Sequence, residues 1–188
     1  MDNTRSKPVV LVFAGPNGSG KSTVTRGMKL FGTYVNADDM KKDYGLTDLE
    51  AAQQAEALRN GLLEKRADFS FETVLSTERN LLLLERAKAD GYEIQCVYVL
   101  TCNASINVAR VKARYAAGGH DVPEDKVRIR YHRALALLPR LVALCDKLLI
   151  YDNSDMPKLI FCKHDASKEL FFNHIWTEEK LKALLDLS

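Results

Sequence analysis

One stretch of the chain decides its fold: Gly15-Pro16-Asn17-Gly18-Ser19-Gly20-Lys21-Ser22. It fits the pattern G-x-x-x-x-G-K-[ST], which is typical of a phosphate-binding loop, or P-loop. Its glycines let the backbone adopt positive φ, and successive N–H groups then form a nest for anionic oxygens. We expect Lys21 to contact the β- and γ-phosphates of a nucleotide, and the Ser22 hydroxyl to ligate Mg²⁺.

The sequence around this loop has the context that a P-loop requires. Residues 9–14 form an apolar, β-branched run before it, which is typical of a strand buried on both faces. Residues 23–30 follow with a helix-compatible composition, although Gly27 weakens the pattern. Thr23 would then open a helix whose positive N-terminal end favours phosphates. The sequence therefore predicts that the loop and Thr23 bind the phosphates of a nucleotide.

The composition is that of an ordinary globular domain. The chain has 188 residues, of which 46% are hydrophobic and 28% charged, and its formal net charge is +2. We expect one domain, with a charge too small to indicate nucleic-acid binding by itself. No run approaches the roughly 20 apolar residues of a membrane span, and the polar N-terminus lacks a signal core. Scattered cysteines without a C-x-x-C pair predict reduced thiols and a cytoplasmic protein.

Acidic residues follow two of the predicted strands. Asp38 and Asp39 come after a short strand, and Glu72 stands at the end of an apolar strand, residues 68–74. In open α/β sheets, ligands lie beyond the carboxyl ends of the strands. Asp38 would therefore accept the proton of an attacking hydroxyl or hold Mg²⁺ through water; the alternative is a helix cap. Glu72 would face a substrate or a metal, with the Thr73 hydroxyl beside it.

Residues from about 110 to 133 predict a hinged lid. Gly118 and Gly119 separate two helical patterns that both carry cations. Three cations of the second pattern can share one face of a helix: Lys126, Arg130 and Arg133. A lid that closes over the phosphates would bring arginines to the transferring γ-phosphoryl group. The alternative is a solvated basic surface.

Strands and helices alternate along the chain, which indicates a P-loop α/β fold. We expect a mainly parallel sheet of five or six strands with helices on both faces, a small helical lid, and residues 159–162 as the edge strand. A P-loop alone does not separate kinases from other nucleotide-binding proteins. The short chain, the acid after the second strand and the arginine-bearing lid together favour a phosphotransferase for a small substrate.

In combination, these motifs resemble the zeta toxin family of P-loop kinases, in its smaller zeta-like branch. The segments that carry the resemblance occur in the same order along the chain: 14–23, 36–38, 69–73, 118–124 and 151–154. The resemblance implies a kinase dependent on ATP and Mg²⁺ that phosphorylates a sugar hydroxyl of UDP-N-acetylglucosamine. It also raises an antitoxin protein as a possible partner.

The resemblance further implies roles for single residues. Asp38 occupies the place of the general base, and Glu72 that of the acid that contacts the substrate, with Thr73 beside it. Two lid arginines grip the phosphates in that family. Arg133 stands where the second is expected, with Arg130 as a near alternative. His120 stands where the first would be, and since histidine is only partly charged near neutral pH, Arg114 or Arg130 would take its role.

Three other functions are compatible with the sequence. One is a kinase for another small molecule, such as an antibiotic or a different nucleotide sugar. Another is a polynucleotide 5′-hydroxyl kinase, which would need a basic track with stacking aromatics, and the near-neutral charge argues mildly against it. The third is a non-enzymatic nucleotide-binding module paired with a regulator.

Overall fold

A computed structural model describes residues 7–119 and 122–187 of the chain. The strands are β1 (Val9–Ala14), β2 (Thr33–Val35), β3 (Phe69–Thr73), β4 (Glu93–Leu100), β5 (Lys147–Asp152), β6 (Lys158–His164) and β7 (Ser167–Leu170). The helices are α1 (Lys21–Thr25), α2 (Ala37–Tyr44), α3 (Asp48–Glu64), α4 (Arg79–Ala89), α5 (Ala104–Ala116), α6 (Glu124–Ala136), α7 (Leu138–Leu144) and α8 (Glu178–Leu185).

The strands form one sheet in the order β2-β3-β1-β4-β5-β6-β7. The first five strands of that order pair in parallel, whereas β6 pairs antiparallel with both β5 and β7. The predicted mainly parallel P-loop α/β fold is therefore confirmed, with one strand more than expected. Because β7 pairs with β6, the edge position predicted for residues 159–162 belongs to β7. Three of the four β7 residues are exposed, so this strand lacks the apolar pattern that reveals the others.

The core lies on both faces of the sheet. On one face, α3, α4, α7 and α8 contribute to a large apolar cluster that includes Phe69, Phe71 and Leu141. On the other face, a smaller cluster is formed by Leu11, Phe13, Val97 and Val99, against which side chains of α1 and the segment after it are packed. Alternate residues of β1 thus point to opposite faces, and all of them except Val9 are buried. The strand before the loop is therefore buried on both faces, as predicted.

Helix α1 is shorter than the pattern of residues 23–30 predicts. It ends at Thr25, because Arg26 leaves the helical region and Gly27 adopts a positive φ of 80°. A helix of five residues has only a small macrodipole, so attraction of phosphates must come mainly from the loop and from Lys21. Within the described ranges, no helix has the length and apolar character needed to span a membrane.

The predicted lid corresponds to α5 and α6. Helix α5 ends two residues before Gly118, whose φ of 87° breaks the helix. The two helices share a small apolar cluster of their own, built from Val108, Val111 and Val127. The Tyr131 hydroxyl on α6 donates to the carbonyl of Thr101 at 2.6 Å, and burial raises the pKa of Tyr131 to about 12. His120, which was also predicted to be a cation of the lid, lies outside the described residues.

Candidate active site

The largest cleft near the P-loop lies at the carboxyl ends of β1 and β3. Its volume is about 540 Å³, and it is enclosed by the loop, α2, the start of α3 and the two lid helices. Among the described residues, its charged lining consists of four cations and three acids: Lys21, Lys41, Arg114, Arg130, Asp38, Asp48 and Glu72. A nearly balanced set of opposite charges in one cleft suits binding and reaction of a charged substrate.

The P-loop keeps an open backbone nest. Gly15 and Gly20 have φ values of 144° and 84°. An added Cβ at Gly15 would lie 2.0 Å from the carbonyl oxygen of Val99, so a side chain there would force the loop to move. In the described part of the chain, no hydrogen bond engages the N–H groups of Gly18, Gly20, Lys21 or Ser22. These donors are therefore free for anionic oxygens.

Lys21 is the buried cation of the site, with 9% of its surface exposed. Its Nζ donates to the carbonyl oxygen of Gly15 at 2.9 Å and lies 3.6 Å from Oε1 of Glu72. Burial lowers the pKa of Lys21, and the nearby carboxylates of Glu72 and Asp38 partly oppose this shift. Arg114 adds to the lowering because it is another cation close to Lys21. The ammonium group thus has few partners, which favours its binding to phosphate oxygens.

Two buried amide side chains bind backbone carbonyl oxygens of the P-loop. Nδ2 of Asn107, on α5, donates to the carbonyl oxygen of Asn17 at 2.7 Å. Nδ2 of Asn153, after β5, donates to the carbonyl oxygen of Ser19 at 2.8 Å. The Thr101 hydroxyl donates to Oδ1 of Asn107 and fixes the orientation of that amide. With two carbonyls pinned on one side, the free N–H groups are held toward the other side of the loop.

Sequence reasoning did not identify the role of Asn107. Its neighbours on the buried face of α5 are Ala104, Val108 and Val111, and Asn107 itself is fully buried. A polar side chain on an apolar stripe is the signal that could have drawn attention to it, because buried amides require partners. That signal indicates a partner, but only the structure shows that the partner is the P-loop.

A smaller pocket of about 180 Å³ adjoins the cleft on the outer side of the P-loop. It is lined by Gly20, Ser22 and Arg110, and it shares Lys21 and Glu72 with the cleft. Arg110 donates to the carbonyl oxygens of Asn153 and Ser154 at 2.7 and 3.1 Å, so it connects α5 to the turn after β5. The exposed Ser22 hydroxyl is of the type that ligates a nucleotide-bound Mg²⁺. In the described ranges, no three His, Cys, Asp or Glu side chains cluster to hold a metal.

Asp38 lies in the first turn of α2 and lines the cleft. The cap of this helix is Asn36, whose Oδ1 accepts from the backbone N–H of Asp38 at 2.9 Å. The carboxylate of Asp38 is therefore not needed as a cap, and it is exposed to the cleft. Asp39 is also exposed but does not line the cleft. The structure thus separates two acids that were adjacent candidates in the sequence.

The two predicted substrate residues of β3 have different surroundings. Glu72 lines both pockets and contacts Lys21. The Thr73 hydroxyl instead accepts from Nδ2 of Asn80 at 2.7 Å and from the N–H of Leu75 at 3.0 Å, and Thr73 does not line the cleft. Its carbonyl oxygen accepts from the N–H of Gly15 at 3.2 Å. In this structure Thr73 connects β3, α4 and the P-loop.

The lid presents two arginines to the cleft, Arg114 from α5 and Arg130 from α6. Nη1 of Arg130 donates to Oδ1 of Asn17 at 3.3 Å, so this side chain already reaches the P-loop. Arg133 is exposed in the last turn of α6 and is not part of the cleft lining. Residues three apart on a helix differ by about 60° in direction, which is enough to place only one of them in the cleft.

Exchange of Asn107 for aspartate tests the support of the P-loop. Asn107→Asp replaces the donor that faces the carbonyl of Asn17 by a carboxylate oxygen, which repels that carbonyl and adds a negative charge behind the phosphate site. We expect about tenfold or weaker ATP binding, measured by isothermal titration calorimetry. Asn103→Asp is the matched control, since Asn103 caps α5 with its Oδ1, which a carboxylate preserves. Equal ATP affinity in the two variants would contradict the proposed support.

Exchange of Glu72 for glutamine tests the charge of Lys21. The Glu72 carboxylate raises the pKa of Lys21 against the lowering by burial, so a neutral glutamine should let that pKa fall further. Since only charged Lys21 attracts phosphates strongly, ATP affinity should decline at a lower pH in Glu72→Gln than in the unmodified protein. Calorimetry from neutral to alkaline pH measures this, with the exposed Glu169→Gln as control. An unmoved alkaline decline would show that Glu72 does not control Lys21.

Known structures with this fold include one from a toxin-antitoxin system and one complex with ATP. The structure from the PezAT chromosomal toxin-antitoxin system of Streptococcus pneumoniae superposes with a TM-score of 0.62 at 19% identity, over 98% of this chain and 87% of that chain. The AvrRxo1-ORF1:-ORF2 complex with ATP superposes with a TM-score of 0.71 at 13% identity, over 97% of this chain and 64% of that one. At these identities, the likeness shows the shared fold alone.

Sequence comparison extends this likeness to a family. An uncharacterized protein of Haemophilus influenzae (strain ATCC 51907 / DSM 11121 / KW20 / Rd) is 29% identical over 127 residues, which is 64% of this chain and 91% of that protein. The family model described as zeta toxin matches residues 29–161, more than half of the chain. The match begins after the P-loop, so it is independent of that widespread motif. The chain belongs to the zeta toxin family.

Proposed function

We propose that the protein is a single-domain kinase that transfers the γ-phosphoryl group of ATP to a hydroxyl of a small acceptor. One observation carries the proposal: Lys21, Asp38, Glu72 and Arg130 come from four different elements and line one cleft beside the P-loop. Phosphoryl transfer requires this set, namely a phosphate-binding loop, a carboxylate for the attacking hydroxyl and a cation for the transferred group. ATP as donor also fits the cytoplasmic location predicted from the sequence.

In this proposal, the smaller pocket binds the phosphoryl donor and the cleft binds the acceptor. The smaller pocket contains Gly20, Ser22 and Arg110 and suits the phosphates of ATP. The cleft is also lined by Asp38 and by Ala51 and Ala52 of α3, which do not line the smaller pocket, so the acceptor has a separate place. Asp38 would orient the acceptor hydroxyl and accept its proton. When bound with the nucleotide, Mg²⁺ would neutralise phosphate charge, with Ser22 as the side chain that ligates it.

The lid arginines complete the proposed reaction. Arg130 donates to Asn17, so its guanidinium group already lies beside the loop that would hold the γ-phosphoryl group. Arg114 lies on the same cleft and would add a second cation. Charge held in place before the reaction stabilises the transition state without reorganisation, so positioning and neutralisation would supply most of the catalysis.

Nucleotide sugars are the first acceptor class to test. Membership in the zeta toxin family supports UDP-N-acetylglucosamine, and the cleft volume of about 540 Å³ can hold a molecule of that type. The toxin-antitoxin origin of the PezAT structure and the ATP in the AvrRxo1 complex support an antitoxin partner and the use of ATP, respectively. Both points are proposals for this chain.

Replacement of Asp38 tests the assignment of the base. The purified protein is incubated with ATP, Mg²⁺ and a panel of UDP-sugars, and mass spectrometry detects the gain of one phosphate. Asp38→Asn should lower product formation by about 10²- to 10⁴-fold and leave ATP binding nearly unchanged, because the carboxylate acts on the acceptor hydroxyl. Asp39→Asn is the matched control, as Asp39 is an adjacent exposed acid outside the cleft.

The outcomes of that assay distinguish between the possible roles of Asp38 and between the possible functions of the protein. Full activity of Asp38→Asn would refute the role of Asp38. If the unmodified protein phosphorylates no UDP-sugar, other hydroxyl-bearing metabolites and polynucleotide 5′ ends are the next acceptors. ATP binding without turnover on every acceptor would favour the non-enzymatic module over the kinase.

Replacement of the lid arginines distinguishes the residue that contacts the γ-phosphoryl group. Arg130→Ala should lower kcat by about 10³-fold, the scale of losses at arginine fingers, because Arg130 lines the cleft. Arg133→Ala removes an exposed arginine of the same helix and should leave kcat within a few-fold. The measurement is steady-state kinetics with the acceptor that the panel identifies. A larger loss in Arg133→Ala would mean that the lid closes with its other face on the phosphates.

A further inference from the structure

A separate pocket lies between α3 and α4, apart from the cleft and the smaller pocket of the active site. We call it the α3–α4 pocket. Its volume is about 170 Å³, which is below the roughly 300 Å³ of pockets that hold drug-sized molecules. Its polar lining consists of Glu56, Arg59, Asn60, Arg79, Asn80 and Arg86. Three arginines against one glutamate leave an excess of two positive charges in a space that suits a small group.

Arg59 is the most unusual residue of this pocket. It lies on the buried stripe of α3, one turn from Ala55 and one turn from Leu63, and only 8% of its surface is exposed. Its guanidinium carbon lies 5.1 Å from the centroid of the Phe71 ring. In the described part of the chain, Nε of Arg59 is buried and has no hydrogen-bond partner. The flat guanidinium group thus rests on an aromatic ring while a donor on it stays unused.

A buried cation without a partner is unfavourable for the folded chain. Burial lowers the pKa of Arg59, and Glu56 opposes this shift only in part. Glu56 cannot serve Arg59 fully, because its Oε2 is bound to Nη1 of Arg79 at 3.0 Å. An arginine that only filled space here could be replaced by methionine or leucine at lower cost. The buried charge and its unused donor therefore point to a ligand.

The remaining polar groups of the pocket are also donors. Oδ1 of Asn60 accepts from Nη1 of Arg86 at 3.0 Å, which leaves the NH₂ group of Asn60 for a ligand. One N–H of Asn80 donates to Thr73, and its second N–H remains. Among the described residues of this lining, Glu56 is the only carboxylate, and its Oε2 is bound to Arg79. Donors of this kind around a guanidinium fork match the oxygens of phosphate or carboxylate.

We propose that the α3–α4 pocket is a binding site for an oxyanion, a phosphate or carboxylate group, held by Arg59, Arg79 and Arg86. The pocket adjoins the active site along α3, where Ala52 lines the cleft and Glu56 lines the pocket, about 6 Å further along the helix axis. The anion is therefore either a distant charged group of the acceptor or a separate small anion.

A hydrogen-bonded connection also links the pocket to the P-loop. Asn80 of the pocket donates to the hydroxyl of Thr73, and the carbonyl of Thr73 accepts from the N–H of Gly15. Phe71, beneath Arg59, immediately precedes Glu72 of the active site in β3. An anion bound at Arg59 would thus contact residues that position both Thr73 and Glu72.

The proposal is tested by NMR with ¹⁵N-labelled protein and inorganic phosphate, at ionic strength held constant with sodium chloride. The Nε–H of Arg59 and the side-chain amides of Asn60 and Asn80 report on the pocket. Backbone signals of Gly18 and Gly20 report separately on the P-loop. We expect all of these signals to shift saturably with phosphate, on two binding curves.

Substitutions test whether the binding curve of Asn60 and Asn80 belongs to the α3–α4 pocket. Arg59→Met keeps length and contact with Phe71 but removes the charge, so the curve of Asn60 and Asn80 should weaken tenfold or more, whereas that of Gly18 and Gly20 stays unchanged. Lys65→Met removes an exposed cation near the end of α3 and is the matched control. Should Arg59→Met fail to fold, Arg86→Met on the exposed rim should weaken the same curve.

Three results would overturn the proposal: no saturable shift at the pocket, an equal shift when chloride replaces phosphate, or an unchanged curve in the folded arginine variants. Arg59 would then be a structural cation on Phe71. Because the titration needs neither ATP nor turnover, its failure is distinct from failure of the kinase assignment.

Kinetics with the identified acceptor distinguish the two sources of the anion. If the anion belongs to the acceptor, Arg59→Met raises KM for the acceptor at unchanged KM for ATP, and inorganic phosphate competes with the acceptor. If the anion is a separate molecule, KM for the acceptor is unaffected and phosphate does not compete. The titration decides whether the site exists, and these kinetics decide only which anion occupies it.

Discussion

The burial of the Lys21 ammonium group is the constraint on which the rest of the site depends. A charge taken out of water needs compensation, and within residues 7–119 and 122–187 the contacts of Lys21 are one carbonyl oxygen at 2.9 Å and one carboxylate at 3.6 Å. Glu72 must therefore stand at the end of β3, beside β1, where parallel pairing places Phe13 opposite it. The phosphates of a nucleotide offer several oxygens at once and would be stronger partners for Lys21 than Glu72 is. Their binding would release Glu72 toward the acceptor, so that the acid that compensates the empty site becomes available to the substrate.

Phosphate binding in this protein depends on the loop more than on the helix that follows it. Since α1 has only five residues, its dipole cannot contribute much, and the free N–H groups must be held in place by other means. Asn107 and Asn153 provide this support from two separate elements, and Arg110 joins those elements through the carbonyl of Asn153. Because Asn107 and Arg110 belong to α5, the position of this helix and the shape of the P-loop are mechanically connected. A shift of α5 would therefore change the geometry of the phosphate site.

Much of this arrangement could be predicted from local sequence patterns. The apolar run before the P-loop and the break at Gly118 act through nearby residues, and each is present as expected. The predictions that differ depend on distant contacts or on helical phase. Strand β7 forms by pairing with β6 although its residues are mostly exposed, and the placement of Arg130 rather than Arg133 in the cleft follows from how α6 packs through Val127 and Tyr131. The roles of Asn107 and Arg59 were not predicted, because a polar residue on an apolar stripe shows that a partner exists without showing which one.

Helix α3 connects the active-site cleft with the α3–α4 pocket, because residues of this one helix line both. Its first turns line the active-site cleft with Asp48 and Ala52, and its middle carries Arg59 over Phe71. A helix is stiff along its axis, so a ligand that moves Arg59 also moves the wall of the cleft. A capping box of Thr47 and Glu50 fixes the start of α3, whereas Arg59 lies on its buried face with an unused Nε–H donor. An anion that binds Arg59 would reduce the cost of the buried charge and stabilise the packing of α3 against β3. The stability of the cleft wall would then depend on an anion, which is a direct physical route from substrate or effector binding to the geometry around Asp38 and Glu72.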